Sequence, residues 1–204
     1  MGSGSFIMGT INSAIALVKN PLSYMTADKD VPATVNSIMI NYVAVLAAIP
    51  FVATLIGDLW YFSLFGGFAG FLIGYAFLAA VLTYIFDLIA VYVVAMVIQM
   101  LSTNFGSTND RIKSLKLSAW IFTPAFLISA LNIIPFLGIL GILGLLYGLY
   151  ILYLGLPVVL ATPKDKVVQY VIVTVIATFI VYVVIAAIIG VITAAVFVST
   201  FRFM

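Results

Sequence analysis

The sequence predicts an all-α fold: a polytopic bundle of five membrane-spanning helices with an N-terminal amphipathic interfacial helix. Three observations carry that prediction. Of 204 residues, 66% are apolar and 7% charged, far from the usual soluble mix of about half apolar and a quarter charged. Several charge-free stretches exceed the roughly 20 residues needed to cross a bilayer as a helix. The polar residues gather between those stretches, leaving no room for a separate soluble domain.

The N-terminus opens with Met1-Gly-Ser-Gly-Ser5, which reads as a flexible or appended start. From Ile7 to Lys19, Ile7, Met8, Ile11, Ala14, Ile15 and Val18 recur at helical spacing. The segment is too short to span and lacks the basic start and cleavage site of a signal peptide. It predicts a helix lying on the membrane surface, with docking on the bundle an equal alternative. Asn20-Pro21 is read as its end, because a residue before proline avoids the α region.

The first span is predicted from about Thr34 to Ile56. Leu59 to Leu101 holds 43 residues with Asp87 as its only charge, about 64 Å as one helix and twice the hydrocarbon thickness. The crowding of Gly66, Gly67, Gly70 and Gly74 places an irregular piece first and the second span from about Gly74 to Leu101. A polar loop, Ser102 to Ser114, precedes a third span from about Leu117 to Ile133, broken at Asn132 and Pro135. The fourth runs from about Phe136 to Leu160, and the fifth from Val167 past Gly190, long enough that it must tilt or project.

Five spans put Lys19, Lys29, Arg111, Lys113, Lys116, Lys164 and Lys166 on one side and only Arg202 on the other. The basic side faces the cytoplasm by the positive-inside rule. The N-terminus is therefore expected to be cytoplasmic and the C-terminus outside or lumenal. Residues 1–33 form the cytoplasmic segment and 34–204 a single five-span domain. Arg111, Lys113, Lys116, Lys164 and Lys166 are assigned to cytoplasmic basic loops.

The chain has no Cys, His or Glu, which removes thiolate and imidazole chemistry and the common zinc sites. No cofactor, metal site or catalytic residue is expected. A net charge of +2 is too small an excess to suggest nucleic acid. Small residues that let helix backbones approach recur in three stripes: Gly66, Gly70 and Gly74; Gly141, Gly144, Gly148 and Gly155; and Ala186, Gly190 and Ala194. They are read as packing seams within the bundle. Asp87, at the centre of the second span, is the candidate intramembrane polar site, with Asn41, Asn132 and the Thr174, Thr178, Tyr182 stripe. It is expected to face inward toward a hydroxyl or amide.

Asn132-Ile-Ile-Pro-Phe-Leu-Gly138, then Leu146 to Pro157 with its Gly and Tyr punctuation, then Thr162-Pro-Lys-Asp-Lys166, follow one another in an order that resembles the Yip-domain family. Lys19-Asn-Pro21, Ala119-Trp120 and Pro124 also look like family positions, so the likeness covers most of the chain. The resemblance implies a five-span protein with a cytoplasmic N-terminus. Eukaryotic members act in vesicle trafficking and bind prenylated Ypt/Rab GTPases. This chain lacks their long N-terminal region and their Asp-Leu-Tyr-Gly-Pro motif, so GTPase binding is not carried over, and the likeness is to the compact bacterial and archaeal branch, which implies a prokaryotic plasma membrane with the C-terminus outside. The expected partners are the lipid bilayer and a protein on the cytoplasmic face, with the oligomeric state open.

Two functional classes stand at this stage. One is a non-enzymatic membrane scaffold or organiser, supported by the family likeness and the lack of a catalytic constellation. The other is a small transporter or ion or proton channel built on Asp87.

Overall fold

The computed structural model describes residues 3–63, 69–134 and 136–202. Among them there is no strand, and five apolar helical stretches are long enough to cross a membrane: Val35–Tyr61, Ala76–Ser102, Arg111–Ile133, Leu137–Val159 and Val167–Ala195. The glycines Gly66 and Gly67 and the proline Pro135 lie outside the described residues.

Two helices precede the spans. The first, α1 (Ser3–Lys19), is followed at once by α2 (Pro21–Asp28). Asn20-Pro21 does end α1, and it also opens a second helix. Proline fits the first helical position because its missing N–H has no intrahelical partner there, and the Asn20 side chain accepts the Ser23 N–H at 3.3 Å as an N-cap.

The first span begins with a reciprocal cap. Thr34 Oγ1 accepts the Ser37 N–H at 3.1 Å while Ser37 Oγ accepts the Thr34 N–H at 2.9 Å. The chain continues through α3 (Val35–Ile38), a π turn over Met39–Val43 and α4 (Ala44–Ser63), past the expected end at Ile56. The second span belongs to α5 (Ala69–Ser102), which starts before Gly74. The last helix, α8 (Val167–Arg202), has 36 residues. At 1.5 Å per residue α8 is about 54 Å long, so it must tilt or project beyond the hydrocarbon.

The third helix departs most from expectation. It begins at Arg111 as α6 (Arg111–Ile128), six residues before Leu117. Asp110 caps it, accepting from the N–H groups of Ile112 at 2.8 Å and Lys113 at 2.9 Å. Arg111, Lys113 and Lys116 consequently sit in the first turns of a helix and not in a loop. Lys164 stays in the connection before α8, and Lys166 directly precedes that helix. A 3-10 turn (Ser129–Ile133) ends the third span, and a second (Leu137–Leu140) leads into α7 (Gly141–Val159).

Helix α6 is the axis of the bundle, since every residue from Ser114 to Trp120 is buried. Helix α7 packs against it along a glycine seam. A Cβ on Gly148 would stand 2.5 Å from the Ile121 carbonyl oxygen, and one on Gly144 would stand 2.8 Å from the Ala125 Cα. Gly155 is closed in by Leu117 and Met25. Gly141 is not part of this seam, nor do Gly74 and Gly190 sit in one: a Cβ at any of them meets nothing within 4 Å. Helical spacing alone gives these three positions no partner. Gly57 is a packing glycine that the stripes did not include, pressed on the backbone carbonyl of Asn132.

Candidate functional site

The N-terminal helices are fastened to the basic end of the bundle by one buried cation. Lys116 projects from α6 with only 4% of its surface exposed. Its Nζ meets Asp28 Oδ2 at 3.0 Å, the Val31 carbonyl at 2.8 Å and the Asp28 carbonyl. An ammonium has three donors, and all three are used. A buried lysine is tolerated only when so paired, and the pairing joins residues 88 positions apart.

Two outer contacts flank this clamp. Lys113 donates to Asp30 Oδ1 at 2.7 Å, and that hydrogen bond holds the Asp30 carboxyl below its ordinary value. Lys29 donates to the Val158 carbonyl at 3.2 Å. Further along the same helix, Tyr147 donates to the Val18 carbonyl at 2.7 Å. From Tyr147 to Val158 is about 16 Å along α7, so the joint between α1 and α2 lies well down the side of the bundle.

Beneath the clamp is a cavity of about 150 Å³ lined by Tyr24, Asp28, Ser37, Tyr42, Lys116 and Trp120 among others. Tyr24 meets Trp120 edge to face, with ring centroids 5.9 Å apart. Burial pushes the Tyr24 phenol up, a hydrogen bond with Ser13 opposes that, and the Asp28 carboxylate adds to it. The phenol is therefore neutral at physiological pH. Tyr42 closes the floor through a 2.9 Å hydrogen bond with Thr123.

The loops on either side of this end are also tied together. Thr108 donates its N–H to the Leu160 carbonyl at 2.7 Å, and Ser107 donates to Thr162 Oγ1 at 2.8 Å. Phe105 stacks on Tyr170 at 4.6 Å. Arg111 donates to the Tyr92 hydroxyl and lies 5.8 Å from that ring's centroid, a cation–π distance.

The inward face of the amphipathic helix α1 shares Ala14 with its aliphatic stripe and leaves Ile7, Met8 and Ile15 of that stripe open. Thr10, Ala14 and Leu17 are buried, and Thr10 donates to the Asn41 carbonyl at 2.9 Å. Ile7 is 45% exposed and Ile15 39%, and Phe6 and Met8 are open as well. Docking on the bundle and an exposed apolar face thus coexist on one helix.

Asp87, Asn41 and Asn132 are not brought together. Asn41 is exposed near the start of the first span, against α1. Asn132 lies in the 3-10 turn at the far end of the third span, where its carbonyl meets Gly57. Asp87 is half-buried midway along the second span, within electrostatic reach of Tyr182. No hydrogen bond or ion pair to its carboxyl is found among the described residues. The sequence does not mark Lys116 as buried, because a lysine near the end of a span reads as a surface cation; the acids Asp28 and Asp30, close in sequence to Lys29, are its signal.

Five apolar helices, one of them the buried axis α6, define an integral membrane protein of the helical-bundle class. The Yip1 domain family matches residues 15–187, most of the chain, and the protein belongs to that family. No curated protein and no solved structure matches it. The matched region begins inside α1, so α2 and the clamp fall within the family domain while most of α1 precedes it.

Proposed function

We propose that this protein is a non-enzymatic scaffold or organiser of a prokaryotic plasma membrane, with the N-terminus and the basic end cytoplasmic. The observation that carries the reading is the Lys116 clamp. It fixes α1 and α2 against the axis of the bundle while Phe6, Ile7, Met8, Ile15 and Leu22 remain exposed. A rigidly presented apolar face on the half of the bundle that carries Lys29, Lys113 and Lys164 suits insertion among anionic lipids or contact with a cytoplasmic protein. In this reading residues 1–33 and the five-span domain of 34–204 work as one unit. Binding of a prenylated GTPase is no part of it.

A second reading, a proton or cation path, has one observation in its favour: the half-buried Asp87 carboxyl without a described partner. Against it, Asp87, Asn41 and Asn132 stand at separate levels, and the largest described cavity is lined almost wholly by apolar residues. Flux measurements on the full chain in proteoliposomes carrying an entrapped pH dye distinguish the two. A scaffold gives the leak of protein-free vesicles under proton and potassium gradients. Flux above that leak which Asp87→Asn abolishes would establish the path and overturn the scaffold.

A further inference from the structure

Helix α1 crosses the bundle instead of running along it, and α6 is the ruler that shows this. Thr10 donates to the Asn41 carbonyl, and the neighbouring Tyr42 reaches Thr123 of α6. The Val18 carbonyl accepts from Tyr147, and the neighbouring Gly148 presses on Ile121 of α6. The two fastenings thus lie within one turn of each other on α6, although Thr10 and Val18 are about 12 Å apart along α1. Lys116 stands about 8 to 10 Å nearer the basic end, at 1.5 Å per residue. Asn41 and Tyr147 both fall inside membrane-crossing stretches, so α1 lies crosswise at membrane depth.

At about 100° per residue, α1 has three faces. Thr10, Ala14 and Leu17 are buried against the bundle. One flank carries Ile7, Ile11, Ile15 and Val18, and the other carries Gly9, Asn12, Ser13 and Ala16. Ser13 bonds to Tyr24 of α2, and α2 runs from the joint to the clamp. The Ser13 flank consequently faces the basic end, and the aliphatic flank faces the opposite membrane surface. A notch of about 390 Å³ on the Ser13 flank is lined by Ser5, Gly9, Ser13 and Asn41 among others. Lys19 and Asn20, at the joint, are exposed, as are Ser23 and Thr26 between the joint and the clamp.

Depth decides what covers the two flanks. From Tyr42 to the exposed pair Trp60 and Tyr61, the first span measures about 28 Å, close to the roughly 30 Å of hydrocarbon. Trp and Tyr gather at membrane–water boundaries. With one boundary at Trp60 and Tyr61, the other falls at α1. The far side of the bundle differs. Helix α8 packs on α5 and α7, whereas α1 packs on α2, α4 and α6. Tyr182 of α8 lies against Phe122, ring centroids 6.1 Å apart, and so shares the level of α1. Beyond it, exposed apolar residues continue through Phe179, Ile176 and Ile172 to Val168, about 21 Å nearer the basic end.

We infer that α1 is seated in the basic-side leaflet, with Ile7, Ile11, Ile15 and Val18 on acyl chains and Asn12, Ser13 and Lys19 among phospholipid headgroups. The membrane surface then dips to about 10 Å below the clamp beside α1, and stands higher beside α8. A flat surface at the clamp would instead sink the exposed Lys19 ammonium into hydrocarbon, where a lone charge is costly. The inference rests on the scaffold reading and commits it to lipid, in place of protein, on this face.

The test uses single-Cys variants of the full chain, spin-labelled and reconstituted in vesicles of dioleoyl phosphatidylcholine and dioleoyl phosphatidylglycerol. Power saturation reads collision of each label with oxygen, which concentrates in hydrocarbon, and with a water-soluble nickel chelate. The oxygen-to-nickel ratio should be about tenfold higher at Ile11→Cys than at Ala16→Cys, because hydrocarbon excludes the polar chelate. Ile176→Cys, on α8 and about 9 Å nearer the basic end than Tyr182, should match Ile11→Cys. Thermal melts establish that each variant is folded, and Ile15→Cys, on the same flank, takes the place of Ile11→Cys if that one is not. Nickel access at both α1 labels would overturn the inference and leave the scaffold reading with a protein partner on this face. Oxygen preference at both would overturn it by placing all of α1 in hydrocarbon, and nickel access at Ile176→Cys would remove the dip.

Discussion

Lys116 Nζ and Asp28 Oδ2 stand 3.0 Å apart between the axis of the bundle and the helix pair that precedes it in sequence. Around that contact the lysine has no spare donor and almost no solvent. Removing one partner of such a pair strands the other, and breaking a buried ion pair costs about 3 to 5 kcal/mol. Asp28 is about a third exposed, so water offsets part of the penalty. Lys116→Met is expected to cost about 2 to 3 kcal/mol, read from thermal melts in detergent. Trypsin should then cut faster at Lys19 and Lys29. Adding Asp28→Asn should recover part of the loss, and a double-mutant cycle measures how much.

The α6–α7 seam separates glycines that meet backbone from glycines that meet nothing. Gly148→Leu drives a side chain into the Ile121 carbonyl, and Gly57→Ala into the Asn132 carbonyl. Each should lower stability by about 1 to 3 kcal/mol through overpacking. Gly141→Ala and Gly190→Ala have open space and should match or slightly exceed the wild type, since alanine favours helix by about 1 kcal/mol over glycine. Parallel melts of the four variants check the division, and equal losses in all four would remove the seam.

The outer contact between Lys113 and Asp30 carries a pH signature. The folded chain holds the Asp30 carboxyl low, so its stabilising contribution is fully present above the unfolded value of about 3.9. It fades as pH falls through the lower folded value. Wild type and Asp30→Asn should therefore differ slightly from pH 5 to 8 and converge in stronger acid. The difference should also shrink at high salt, because the pair is exposed.

Much of the fold is legible in the sequence because hydrocarbon imposes length and charge rules that single residues obey locally. The Asp110 loop, the Thr162 to Lys166 connection and the charge-free stretches mark the five spans to within a few residues for most ends. The departures come where tertiary contact overrides those rules. Arg111, Lys113 and Lys116 read as loop cations, yet Asp110 starts the helix before them, and the acids that partner Lys113 and Lys116 lie more than 80 residues away. Helix α1 was legible as amphipathic, but its buried face passes through Thr10, a polar residue that the Asn41 carbonyl satisfies. Glycine spacing found the α7 seam and missed Gly57, whose contact is with a turn in another span.

Sidedness tests the account most directly, because the scaffold reading needs the clamp, the basic residues and both connecting loops on one membrane face. Asn104→Cys, exposed in the loop before α6, and a Cys appended after Met204 each give one label site in a chain that has no cysteine of its own. Membrane-impermeant maleimide added to intact cells should react with the C-terminal Cys and reach Asn104→Cys only after the membrane is opened. Labelling of both sites from the same side of intact cells would contradict the five-span arrangement and the cytoplasmic clamp with it.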